Sequence, residues 1–292
     1  MRFFAPPQAL ARLVSTLFLI EVDLPKGGTL IDYLLPEWAT LRIFDRGFVS
    51  AENRCGSSAG ATRLAMTGPQ AHEVRFEIAS GRHWGVNLTP LGWASLLGEP
   101  ASDWANVLID CQRSDLCNPL LPVAESLFAE APDTHGEHAR LTASLAGLAQ
   151  RPVPGETQIE AITRLLVNPD VSTASDLAQR AGMGQRTLER LALRIFGFSP
   201  KLLLRRQRFM RSLTDFTLDP SLKWIDAMDA IYHDQAHFVR EFRLFMGMTP
   251  SEYAELERPI MAPALHARER FIHEAARRAR QPSEVLPFPA VA

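Results

Sequence analysis

The rhythm of apolar and polar residues changes near residue 150. Before it, Val74, Phe76 and Ile78 alternate with Glu73, Arg75 and Glu77, the two-residue period of a strand with one buried face. The runs TLFLIEV, TLRIFDRGFV, HEVRFEIA and HWGVNLTP are rich in β-branched and aromatic residues and are flanked by turn formers, so each is expected as a strand. Phe4 to Val14 is expected as a short helix. From LGWASLLG onward the spacing turns helical, through Trp104 to Ile109, Leu120 to Ala129 and Arg140 to Ala149. This order predicts an α+β domain over residues 1–150, built as a small barrel or as an open sheet with helices packed on it.

The stretch QRPVPGETQ, Gln150 to Gln158, gathers Pro and Gly between two periodic regions and is expected to separate two domains. Everything after it reads as helix. Gln158 to Val167 carries Ile159, Ile162, Leu165 and Leu166 on one face and stops at Asn168-Pro169. Ser172 is placed to cap a short helix that Gly182 ends. Gln185 to Phe196 follows after Met183-Gly184, and two short helices joined through glycine are the local pattern of a helix-turn-helix. About fifty residues later the ending recurs, since GFSP (Gly197 to Pro200) and GMTP (Gly247 to Pro250) each close one helix and open the next. Between the copies, PKLLLRRQRFMRSLTDF reads as one long helix. An all-α domain of two helix-turn-helix units joined by a linking helix is therefore expected over residues 158–256, with a helix and an unstructured Pro-rich end over 257–292.

Charge sharpens this picture. The whole chain is near neutral, with 31 Lys/Arg against 33 Asp/Glu, but Arg180 to Arg211 holds nine bases and one acid, +8, leaving 22 bases and 32 acids elsewhere. A basic segment on an acidic protein suits a polyanion, although a solvated helix face is the ordinary use of a charge run. The three cysteines, Cys55, Cys111 and Cys117, form no C-x-x-C pair, so neither a disulfide framework nor a thiolate zinc site is expected, and a reducing cytoplasm suits them. The apolar run Ala9 to Val22 is broken by Arg12 and is too short to span a bilayer.

The residues DLAQRAGMGQRTLERLALRIFGFSPKLLLRRQRFMRSL and YHDQAHFVREFRLFMGMTPSEY resemble the AraC family of bacterial transcription regulators, the second stretch carrying its D-Q-x-H-F-x-R-x-F and G-x-T-P-x-x-Y signature. The likeness covers about Ile159 to Tyr253. GVNLTPLGWASLLGEPASDW is similar, more loosely, to a domain found ahead of this module in poorly characterised members. The resemblance implies a sequence-specific DNA-binding activator in the cytoplasm, with double-stranded DNA and RNA polymerase as partners, a small-molecule effector or a second copy of the chain at the N-terminal domain, and no cofactor or membrane. One departure stands out: the family usually has glycine where this chain has Ile231. A β-branched residue is costly at positive φ, and Asp226, Asp229 and Asp234 make the second unit less basic, so the first is expected to supply more of the binding energy. A partner-binding regulator with a decayed DNA module is the alternative.

In the second unit Phe238, Phe242 and Phe245 share a helix face that must turn to the core. The resemblance maps Gln235, Ala236, His237 and Arg240 onto positions in the major groove or on its backbone. In the first unit Leu188, Leu191 and Ile195 form the inward stripe, leaving Arg186, Thr187, Glu189, Arg190 and Arg194 outward. Arg186 and Arg190 lie on one side of the helix and can each bond guanine bidentately, while Glu189 can accept from cytosine or orient an arginine. Arg205, Arg206, Arg208 and Arg211 surround the linking helix and cannot all face the groove, so some are expected to pair with acids and one or two, Arg205 or Arg206, to reach phosphates. His233 and His237 imitate a zinc helix, but His233 falls before the helix, out of register, and no third ligand is evident. No nucleophile, metal or phosphate-loop constellation marks an enzyme. Trp38, Trp84, Trp93, Trp104, Phe44 and Phe76 either pack a core or line an apolar ligand pocket.

Overall fold

The computed structural model describes residues 1–128, 131–149, 151–219, 224, 232 and 234–280. The N-terminal half is built on two antiparallel sheets. β1 (Arg2–Phe4), β2 (Val14–Val22), β4 (Thr40–Phe44), β7 (Leu64–Thr67), β9 (Gly81–Leu88) and β10 (Leu108–Asp110) form one, ordered β1-β2-β9-β4-β7-β10. The other is β3 (Thr29–Leu34), β5 (Phe48–Asn53), β6 (Ser58–Ala59) and β8 (Val74–Ala79), ordered β3-β8-β5-β6. The choice between barrel and open sheet is thus resolved as two facing sheets with helices on the outer side of the larger one.

Burial explains which runs were readable. β8 keeps its alternation, with Val74, Phe76 and Ile78 buried against the other sheet. β2 is covered on both faces: Phe18 and Ile20 point between the sheets, while Leu17 and Leu19 join a second core under the helices. That core is closed by α1 (Pro90–Leu96), α2 (Leu121–Leu127) and α3 (Thr134–Leu148). A buried carboxylate fastens α3: Glu137, 1% exposed, accepts from the Trp84 indole at 2.8 Å and from Arg82 at 2.9 Å. Such a group is stable inside only because donors replace its water.

Several expectations change. Phe4 to Val14 is not a helix; β1 ends at Phe4 and a single 3-10 turn, Gln8–Leu10, precedes β2. Nor is Trp104 to Ile109 helical. A 3-10 turn, Ala101–Trp104, is followed by Asn106 at φ 58, whose left-handed backbone breaks any helix and turns the chain into β10. Cys111 and Cys117 form a disulfide, contrary to the reading from cysteine count, because two 3-10 segments fold the intervening residues back and bring the Cα atoms to 5.1 Å. Cys55 is free and exposed.

The C-terminal half is helical: α4 (Glu156–Val167), α5 (Ala174–Arg180), α6 (Gln185–Leu191) continued by a π-turn to Phe196, α7 (Pro200–Leu218), α8 (Gln235–Met246), α9 (Pro250–Glu255) and α10 (Met261–Arg280). Thr173, not Ser172, caps α5, its hydroxyl accepting from the Asp176 amide at 3.1 Å. Gly197 and Gly247 take positive φ, Ser199 and Thr249 cap α7 and α9, and Thr249 closes a capping box with Glu252. No helix among the described residues is long and apolar enough to cross a membrane. α10 packs back on the N-terminal half: Asp32, wholly buried on β3, accepts from the Ile260 and Met261 amides at 2.8 Å each.

Candidate nucleic-acid interface

α6 is positioned by its inward stripe. Leu188 is 1% exposed and Ile195 6%, both packed with Leu177, Ala178 and Leu203, whereas Leu191 is only half-buried. The opposite side is open to solvent: Arg186, Thr187, Glu189, Arg190 and Arg194 are all exposed. Glu189 has no ion-pair partner among the described residues. Leu193 shares this side at 45% exposure. Sequence reasoning passed over it, since an apolar residue next to a core stripe reads as core; its signal was the i, i+3 spacing from Arg190.

α8 repeats the design. Phe238, Phe242 and Phe245 are fully buried, and Phe209 of α7 stacks on Phe245 with centroids 4.9 Å apart. Gln235, Ala236 and Arg240 are exposed, and His237 is half-buried with its ring edge-on to Tyr232 at 5.2 Å. Asp234 caps the helix, accepting from the His237 amide at 2.6 Å. Ile231, His233, Asp226 and Asp229, and with them the expected turn of the second unit, lie outside the described residues.

The two units meet across α7 in an open cleft of about 580 Å³ lined by Thr173, Lys201, Arg205, Arg208, His237 and Arg240, among others. Lys201 is exposed there. Arg205 is tied down, its Nε donating to Glu241 at 2.7 Å, and Glu241 is 2% exposed. Arg206 corrects the sequence reading most sharply. It is 1% exposed and faces the N-terminal half, donating to the Gln70 carbonyl at 3.0 Å and lying over the Trp38 ring at 3.8 Å. Burial pulls its pKa from 12.5 down to about 9, which still leaves a cation at neutral pH. It is a contact between the two halves of the chain, not a phosphate contact, because the linking helix turns this side inward.

The N-terminal half also holds the far ends of α6 and α8. Carbonyls in the last turn of a helix have no partner within it. On α8 they are met by the β5–β6 turn and the segment before β8: Arg54 Nη1 donates to the Arg243 and Leu244 carbonyls at 2.8 and 2.7 Å, His72 Nδ1 lies 2.8 Å from the Leu244 carbonyl, and the Glu73 amide donates to Phe245 at 2.9 Å. Burial and the nearby Arg54 hold His72 below its usual pKa. At the end of the first unit, Trp38 packs edge-on against Phe196 at 5.8 Å, and a Cβ on Gly197 would crowd the Ala101 carbonyl at 3.1 Å.

Residues 177–255 match a family model described as a helix-turn-helix domain. No curated protein matches the chain. Among solved structures, ToxT from Vibrio cholerae is similar with a TM-score of 0.45 and 12% identity over 78% of this chain and 97% of that one. Wild-type ToxT from Vibrio cholerae strain SCE256, bound to an unsaturated fatty acid, gives 0.43 and 14% over 84% and 96%. The AraC-like transcriptional activator CuxR gives 0.24 and 15% over 70% and 88%.

Proposed function

We propose that this chain, a DNA-binding transcriptional regulator carrying an AraC-type helix-turn-helix domain at residues 177–255, reads a specific DNA sequence by setting α6 and α8 into the major groove. The observation that carries the reading is the pairing of two like helices on one linking helix. Each packs an apolar stripe inward and has an outer face that is exposed and bears arginine, Arg186, Arg190 and Arg194 on one and Arg240 on the other. Arginine can bond guanine O6 and N7 together, glutamine can bond adenine, and an apolar side chain such as Leu193 suits a thymine methyl. Lys201, in the cleft between the helices, is the phosphate contact in this reading.

The finer role is activation in the cytoplasm, with RNA polymerase as partner and a small molecule or a second copy acting at the N-terminal half. The effector part is motivated by the fatty acid in ToxT and by the N-terminal contacts on α8. Selection from a random DNA pool followed by footprinting tests the core of the proposal. It should yield one motif with two protected segments about one helical turn, roughly 34 Å, apart. Failure to enrich any motif would remove it.

A further inference from the structure

Between the two sheets lies a cavity of about 110 Å³. Phe18, Phe44, Phe48 and Phe76 surround it, and its last wall is not part of either sheet: Ile260, Met261 and Ala264 of the α10 segment close it. A well-packed interior leaves few voids larger than a water molecule, so a space of this size calls for an occupant. It is smaller than the roughly 150 Å³ engineered cavity that takes up benzene, which limits the occupant to about one ring.

The polar groups on the wall define the rest. Arg42 is satisfied, donating to Glu37 at 2.6 Å and Thr67 at 3.3 Å. Asn87 is satisfied by Thr40 at 2.9 Å and Thr16 at 2.8 Å. His83 is different. It is 7% exposed, shares its face of β9 with the cavity-lining Ile20 and Phe44 across the ladder, and has no hydrogen-bond partner among the described residues. Burial, then the charges of Arg42 and the N-terminal amine, hold its pKa down to about 3, so the ring is neutral. A buried polar group without a partner is costly, and a neutral imidazole offers one donor and one acceptor. Of the lining cations, Arg42 is taken by Glu37, while Arg268 and the N-terminal residue Met1 stand exposed at the rim.

We propose that this cavity is the effector site, and that it takes a small uncharged single-ring molecule bearing one hydrogen-bonding oxygen, which bonds His83 while α10 closes over the ring. The proposal deepens the effector reading above and rests on it. A carboxylate seated at His83 is disfavoured, because its charge would be buried against a neutral imidazole and beside Glu37, with Arg42 already paired and the other lining cations out at the exposed rim.

Calorimetric titration of the full chain, without DNA, with 4-methylphenol, toluene and 4-methylbenzoate tests it. 4-Methylphenol should bind, toluene about tenfold more weakly for want of one hydrogen bond, and 4-methylbenzoate at least a hundredfold more weakly. His83→Leu should bind 4-methylphenol and toluene alike. Ala264→Leu, which fills the cavity from α10, should bind none, with circular dichroism confirming that each variant is folded. No binding by the wild-type chain, or 4-methylbenzoate binding as well as 4-methylphenol, overturns the proposal without touching the DNA reading. Because the wild-type series alone discriminates, the test survives a variant that fails to fold. Ligand binding by a chain that enriches no DNA motif would instead remove the reading of the helical half.

Discussion

Arg54 donates to the carbonyl of Leu244 at 2.7 Å, across 190 residues of sequence. The contact joins the N-terminal half to the end of α8, where a cation also complements the helix dipole. A charged hydrogen bond is worth about 1.5–3 kcal/mol, and Arg54 makes two to this turn. Arg54→Ala should lower unfolding stability by about 1–3 kcal/mol and weaken specific DNA binding, with Arg54→Lys recovering part of both. Denaturant unfolding together with titration on the selected site measures this. Unchanged values for both would show that the contact does not position α8.

Arg190→Ala and Arg240→Ala are each expected to weaken binding to the selected motif by about 1–3 kcal/mol and to relax preference at one base pair, as for loss of a bidentate arginine. Repeating the selection with each variant locates the base. A motif unaltered by both would take α6 and α8 out of the groove.

Lys201 and Arg206 should separate cleanly in salt titrations. Each phosphate contact adds about 0.9 to the slope of log affinity against log salt on duplex DNA. Lys201→Ala should reduce the slope by about that much on any sequence. Arg206→Met should leave it unchanged while lowering stability, since the Gln70 carbonyl loses its donor and Trp38 its cation. Equal slopes for wild type and Lys201→Ala would count against a phosphate contact.

How far these positions were legible depended on the range of the interaction that fixes them. The endings of α6 and α8 were readable because glycine at positive φ, a hydroxyl cap and proline act within four residues. The outward face of α6 followed from helical period alone. Arg206 was misjudged because its partners, Trp38 and Gln70, lie more than 130 residues away. β3 was missed for a similar reason: Asp32 interrupts an otherwise apolar strand, and its use is to accept the amides that open α10. His83 gave no signal as a site, since only the folded sheets show what it faces.

His83 also predicts a pH dependence. Its folded pKa, about 3, lies below the unfolded value of 6.5, so between these limits the unfolded chain binds the extra proton. Stability contributed at this site is therefore complete above pH 6.5 and is lost as pH falls toward about 3, by up to ~1.4 kcal/mol per unit. Urea midpoints measured from pH 7 to pH 4 should fall less steeply for His83→Leu than for wild type. Parallel curves would mean that the imidazole takes up its proton in the native state as readily as in the unfolded chain.

Asp32→Ala should free the start of α10. Three amides lose their acceptor, those of Tyr33, Ile260 and Met261. Hydrogen exchange over residues 260–265 is expected to quicken strongly, with α4 and α5 unchanged. Protection equal to wild type would show that apolar packing alone seats the helix.

The return of α10 to β3 also sets an order for biosynthesis. All ten strands among the described residues have been made by Asp110, yet the wall formed by Ile260, Met261 and Ala264 comes about 150 residues later. On a translating ribosome the sandwich must wait without that wall while α4 to α9 are produced. The nascent protein thus possesses α6 and α8 before it possesses a closed interior between its sheets, and a chain halted at Glu255 would carry the first without ever acquiring the second.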